Sequence, residues 1–238
     1  MDGFAVARSD EMKLIIPYGT PEWRPGANGP QVAIDTATRD PLRLNDGPYD
    51  FAELPPAAGT GTVAERLAIL RDHLTEFCDQ WAKRPRQFVA LYFRFIEGVI
   101  AADRAAIEAH VKKFGGLFTA DDYAFSALRP LPRAHLPVAG DTRVRVDFAF
   151  WTGERLVAID IAGDEARGPA WQERARQLDA AGIQRIEIPS AAIAKDDPDV
   201  LRTALPPEFA AFWQGEPLPS SPFRGTTLGE IEIGDPDF

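Results

Sequence analysis

The stretch RVRVDFAFWTGERLVAIDIAG, residues 143–163, constrains this chain more than any other. Val144, Val146, Phe148 and Phe150 alternate with Arg145, Asp147, Ala149 and Trp151, and Arg155 to Ile161 repeats the pattern. Both runs carry the period-two signature of strands with two unlike faces. Between them stands Thr152-Gly153-Glu154-Arg155. A turn centred on Gly153-Glu154 suits a type II′ hairpin, because Gly takes the positive φ of the first central position; centring on Thr152-Gly153 would ask that of a β-branched residue. The preferred turn pairs Phe148 with Ile159, Phe150 with Val157 and Val146 with Ile161, an apolar face. On the other face it sets Asp147 opposite Asp160, and Arg145 opposite Ala162.

Like charges directly opposed across a hairpin, with Cβ atoms ~4.5–5.5 Å apart, destabilise it unless a cation lies between them or one takes a proton. Two cations are candidates. A magnesium or manganese ion prefers carboxylate and water oxygens, which makes Asp147 and Asp160 candidate metal ligands. Arg145, on the same face and one register step away, is the candidate structural counter-ion.

The flanking sequence supplies an α/β frame. Residues 17–62 are rich in Pro, Gly and Asp and read as an irregular arm with one or two short strands, such as Gln31 to Ile34. Helical spacing begins at Val63, with Leu67, Leu70, Leu74, Phe77 and Trp81 on one face, Thr62 as cap and Glu65 completing a capping box. Pro85 is expected to end that helix. A second helix is predicted over about 86–113, burying Phe88, Leu91, Phe95, Val99 and Ile107 and stopping at Gly115-Gly116.

After the hairpin, Pro169 opens a helix with Trp171, Ala175, Leu178 and Ala181 inward and Gly182 as its cap, and Ile183 to Ile188 follows as a strand. Strand, crossover helix and strand make a parallel pair, so the expected fold is α/β, a mixed sheet with a central hairpin and a β-α-β crossover, flanked by helices. The expected organisation is an arm over 1–62, a body over 63–214 and an acidic C-terminal tail over 215–238.

The run VDFAFWTGERLVAIDIAG, followed by Arg174-x-x-x-Leu178-x-x-x-Gly182-Ile183, resembles the PD-(D/E)xK nuclease superfamily, particularly its very-short-patch-repair-like members. The resemblance spans about 45 residues, Val144 to Pro189. It implies a restriction-endonuclease-like fold and metal-dependent hydrolysis of a phosphodiester in DNA or RNA. Asp147 and Asp160 match the two metal-binding acids, and Glu97 or Glu108 matches the further acid that such folds often add from an early helix. Arg174 and Arg143 are then candidate substrate-binding residues. The position that usually carries Lys is Ala162 here. Arg145, opposite it in the expected register, is the candidate to stabilise charge on the phosphate, although a guanidinium is a poor proton acceptor. Two readings stand side by side: a metal-dependent nuclease, and a catalytically degenerate nuclease-fold domain acting as a protein-interaction module.

Charge bears on that choice. A formal net charge of -10 opposes binding to phosphate backbones, which Lys and Arg drive by releasing counterions. Against it stand two basic clusters, Lys83-Arg84 with Arg86, and Arg129, Arg133, Arg143 and Arg145. A protein partner is the other candidate, through Phe223 and Ile231 of the tail. No apolar run of 18 residues occurs, so no membrane span is expected, and the charged MDGFAVARSDEMK does not read as a signal peptide; the expected location is the cytoplasm. Cys78 is the sole cysteine and is expected to be an inert packing residue. His73, His110 and His135 show no metal-ligand spacing, and no phosphate-binding glycine run occurs. Phe209, Phe212 and Trp213 read as core.

Overall fold

The computed structural model describes residues 48–52, 61–78, 81–138, 142–163 and 168–214, together with the backbone of four short strands nearer the N-terminus. Those four are β1 (Lys13–Leu14), β2 (Pro21–Gly26), β3 (Gly29–Ile34) and β4 (Leu42–Arg43); β1 pairs with β4 and β2 with β3, both antiparallel. The tail expected over 215–238 lies outside the described residues.

Helix α1 (Val63–Phe77) starts where the capping box predicts. The Thr62 amide donates to Glu65 Oε2 (2.8 Å) and the Glu65 amide to Thr62 Oγ1 (3.2 Å), which satisfies two of the donors a helix N-terminus leaves open. Leu67, Leu70, Leu74 and Phe77 are buried, each contributing roughly 1.5–3 kcal/mol. The helix ends sooner than expected, at Cys78 in extended conformation, and Trp81 is 86% exposed rather than on its inner face. Pro85 terminates nothing. It sits in the first turn of α2 (Lys83–Val111), where a missing amide breaks no intrahelical bond. Phe88, Leu91, Phe95, Val99 and Ile107 of α2 are buried as their spacing predicts, and the chain leaves α2 through one short 3₁₀ turn and Gly115 and Gly116, both at positive φ.

The central sheet has four strands in the order β10-β9-β8-β5, where β5 is Leu131–Pro132, β8 Phe148–Trp151, β9 Leu156–Ala162 and β10 Gln184–Pro189. β8 and β9 are antiparallel, and β9 and β10 parallel, joined by helix α3 (Pro169–Ala180) with Pro169 at its start. The sheet is therefore mixed, as the crossover predicts. Its two faces bury different sets of residues. Phe148, Phe150, Val157, Ile159, Ile186 and Ile188 pack with the helices α1 and α2, whereas Ala149, Trp151, Leu156 and Ala158 pack with Leu178 and Ile183 beside α3. Short helices α4 (Ser190–Ala194) and α5 (Asp199–Ala204) follow. Phe209 comes next, in a 3₁₀ turn, fully buried against Phe150 with ring centroids 4.9 Å apart. Residues 48–52, within the expected arm, join this body: Phe51 is fully buried, its ring 5.3 Å from that of Phe93.

The hairpin keeps its expected register at one end and loses it at the other. Phe148 pairs with Ile159 and Phe150 with Val157, Gly153 has φ +93, and the Thr152 amide donates to the Arg155 carbonyl. At Asp147, however, the chain bends. The residues before it form a separate strand, β7 (Arg143–Arg145), which pairs with β6 (His135–Pro137). Two expectations fall with that bend. Val146 does not face Ile161: with Val144 it joins Ala149 and Trp151 on the α3 side, which the single extra residue of a bulge-like bend produces. Arg145 does not face Ala162 either. It pairs with His135, and Ala162 pairs with Pro189 of β10.

Candidate functional site

Asp147 and Asp160 come together where β7 peels away from the sheet. Hydrogen-bonded pairs alternate along an antiparallel ladder, and Thr152 with Arg155 is such a pair, so a continued ladder would offer the Val146 carbonyl to the Ile161 amide. The bend withdraws it. Val146 instead donates its amide to the Ala134 carbonyl (2.9 Å), and Ile161 donates to Asp147 Oδ2 (2.8 Å). The Asp147 side chain thus stands in for a main-chain acceptor at the point where the strand ends. Its own carbonyl accepts from the Arg133 amide (2.7 Å), which ties the bend to the preceding connection.

Asp160, 1% exposed, points to the α3 side with Ala158 and Ala162. Arg174, from the first half of α3, reaches down to form an ion pair with its Oδ1. The Asp147 amide lies 3.4 Å from the same oxygen, and Oδ2 is buried without a hydrogen-bond partner. The guanidinium of Arg174 lies over the Trp171 ring, 4.3 Å from its centroid, so the residue one turn earlier in α3 fixes its approach. Parallel pairing sets Glu187 of β10 beside Asp160, and Glu187 in turn lies 3.5 Å from Arg185.

Electrostatics follow from this burial. Both carboxyls are pushed above the ordinary aspartate range, in each case chiefly by loss of water. For Asp147 the Ile161 amide opposes the shift and the Asp160 charge adds to it, with Arg174 and Arg145 opposing more weakly. For Asp160 the opposing groups are Arg174, the Asp147 amide and Arg185. The counter-ion of the pair is therefore Arg174. Arg145 is exposed on β7 and acts on Asp147 only at longer range.

The remaining expected residues are dispersed. Arg143 is exposed on β7. Glu97 and Glu108 are exposed on α2, where Glu108 lies 3.8 Å from Arg104. Among the described residues, no group of three or more His, Cys, Asp or Glu side chains is placed to hold a metal ion. Cys78 is buried, its Sγ 3.5 Å from the Leu74 carbonyl, and burial pushes its thiol up to about 12. Sequence reading missed Arg174 as counter-ion, Trp171 as its platform, and Glu187. The motif spacing around Arg174 singles it out, but only the docking of α3 sets it over Asp160. Compared with protein-family models, curated proteins and solved structures, the chain matches none of them. Among the described residues no helix is long and apolar enough to cross a membrane.

Proposed function

We propose that this chain is a protein-interaction module on a nuclease-like α/β scaffold, in which Asp147 and Asp160 hold the sheet together instead of binding a catalytic metal. One observation carries the reading: the Arg174 guanidinium is ion-paired to Asp160 Oδ1, so the chain itself supplies the cation beside the carboxylate pair. The other carboxylate is engaged as well, since Asp147 Oδ2 serves as the acceptor for Ile161. As arranged, each carboxylate already has one oxygen engaged, and the Arg174 charge beside Asp160 opposes a second cation, so the pair suits magnesium or manganese poorly. Ala162 leaves the lysine position empty of a cation, and the bend at Asp147 directs Arg145 to β6 instead.

The opposing reading, a magnesium- or manganese-dependent hydrolase of DNA or RNA, has one observation in its favour. Asp160 Oδ2 is buried with a lone pair and no donor. The two readings separate in a cleavage assay with excess protein, labelled DNA or RNA, and millimolar magnesium or manganese. The module reading predicts no cleavage above that of Asp147→Asn. Metal-dependent cleavage by the wild type that Asp147→Asn abolishes would overturn it.

A further inference from the structure

Arginines over most of the body are compensated: Arg66 by Asp122, Arg94 by Asp196, Arg104 by Asp121, Arg155 by Glu208 and Arg202 by Asp199. Arg86, Arg133, Arg143 and Arg145 are different. Among the described residues none of the four has a carboxylate at ion-pair distance, and three of them are gathered by one strand pair: β7 sets Arg145 opposite His135 and Arg143 opposite Pro137, and Arg133 leads into the same β6. Arg86 and Arg133 both act on Cys78, and Arg133, Arg143 and Arg145 all act on His135. The imidazole of His135 is held below its ordinary range by burial first and then by these three guanidinium groups. Arg145 also acts on Asp147, but that carboxyl is bonded to the Ile161 amide.

Gathering like charge costs stability, and here backbone strain is added: Arg133 has φ +55, a left-handed conformation uncommon for a side chain of this size, held by the hydrogen bond that its amide donates to the Asp147 carbonyl. In a chain of net charge -10 such a face is out of keeping with its surroundings unless something anionic docks on it. The strand geometry narrows what. Arg143 and Arg145 are both exposed and flank buried Val144, so they leave the same face of β7 two residues apart, ~6.5–7 Å along the strand. Carboxylates on alternate residues of an extended peptide repeat at that same spacing, and Arg binds carboxylate through two parallel hydrogen bonds. A nucleic acid is less suited. Its charge, one per ~1.7 Å of duplex, would run off this small patch onto an acidic surface.

We infer that, given the interaction-module reading, the face formed by Arg133, His135, Arg143 and Arg145 is the docking surface for an extended acidic polypeptide segment of a partner. Fluorescence anisotropy of the full chain with a labelled deca-glutamate peptide tests it. The peptide binds at low salt, weakens as salt is added, and loses about tenfold or more in affinity to Arg143→Gln/Arg145→Gln. Arg71→Gln/Arg176→Gln, which removes two exposed arginines elsewhere, leaves binding unchanged. Both double variants keep the wild-type unfolding midpoint within a degree or two, since exposed charges contribute little to stability. No binding at low salt, equal loss in the two double variants, or tighter binding of a duplex oligonucleotide of the same charge would overturn the inference. The module reading itself fails by another observable, metal-dependent cleavage, which peptide binding does not report.

Discussion

Arg174→Ala should destabilise the protein by about 2–3 kcal/mol at pH 7. The substitution strands an Asp160 side chain that is 2% exposed, and breaking one side of a buried ion pair costs ~3–5 kcal/mol when the remaining charge has no escape. Asp160 does have an escape, since it can take a proton. Each pH unit between an ordinary aspartate and the solution costs ~1.4 kcal/mol, so at pH 7 protonation caps the cost near ~4 kcal/mol. Part of that cost is already present in the wild type, whose Asp160 is raised by burial. Arg174 is 28% exposed, so water replaces part of its contribution, while the lost stacking on Trp171 adds back ~0.5–1 kcal/mol.

The pH dependence fixes the sign. A carboxyl whose folded pKa is raised contributes stability that is fully present below its unfolded pKa and lost as pH rises through the folded value. Removing Arg174 raises that folded value further, so the variant's deficit grows from acid to neutral and shrinks to under ~1 kcal/mol by pH 5. Urea unfolding of both proteins at pH 5 and pH 7 measures this directly. At roughly 2–4 °C per kcal/mol for a domain of this size, the thermal midpoint at pH 7 should drop by about 5–10 °C. A deficit below ~0.5 kcal/mol at pH 7, or the same deficit at both pH values, would refute the role given to the ion pair.

Three further outcomes follow from the same geometry. Asp147→Ala removes the acceptor of a buried amide and should cost ~1–3 kcal/mol, whereas Asp147→Asn keeps a side-chain oxygen there and should cost under ~1 kcal/mol in denaturant unfolding. Carbon-detected NMR titration should place the Asp147 and Asp160 midpoints above those of exposed aspartates, with stability falling as pH rises through them. Cys78, its thiol pushed up to about 12, should react with a disulfide reagent near neutral pH only at the rate of unfolding, so a fast native phase would contradict its burial.

What the sequence makes legible here is local. The Gly153-Glu154 turn fixes its own register because few residues tolerate its φ, and Thr62 with Glu65 marks a helix start by reciprocal bonds within one turn. The bend at Asp147 is not local. Alternation runs unbroken through Val144, Val146 and Phe148, yet β6 competes for the same strand and takes Arg143 to Arg145 away from β9. No periodicity reports that competition, because Val144 and Val146 are buried in either arrangement. The identity of the counter-ion depends on the same long-range fact. Once the strand bends, the residue one register step away is no longer the neighbour of Asp160, and a helix that packs later in the chain supplies Arg174. Trp81 shows the converse error: spacing alone extends α1 by a turn that the extended Cys78 prevents.

Isothermal calorimetry with manganese tests the central claim most directly, namely that the carboxylate pair is closed by Arg174 and holds no catalytic metal. Titration of the full chain to millimolar manganese at pH 7 should give no saturable heat above that of Asp147→Asn, and no rise in unfolding midpoint. A saturable isotherm near one ion per chain that Asp147→Asn abolishes would contradict it, since the pair would then hold an ion beside, or in place of, the Arg174 guanidinium.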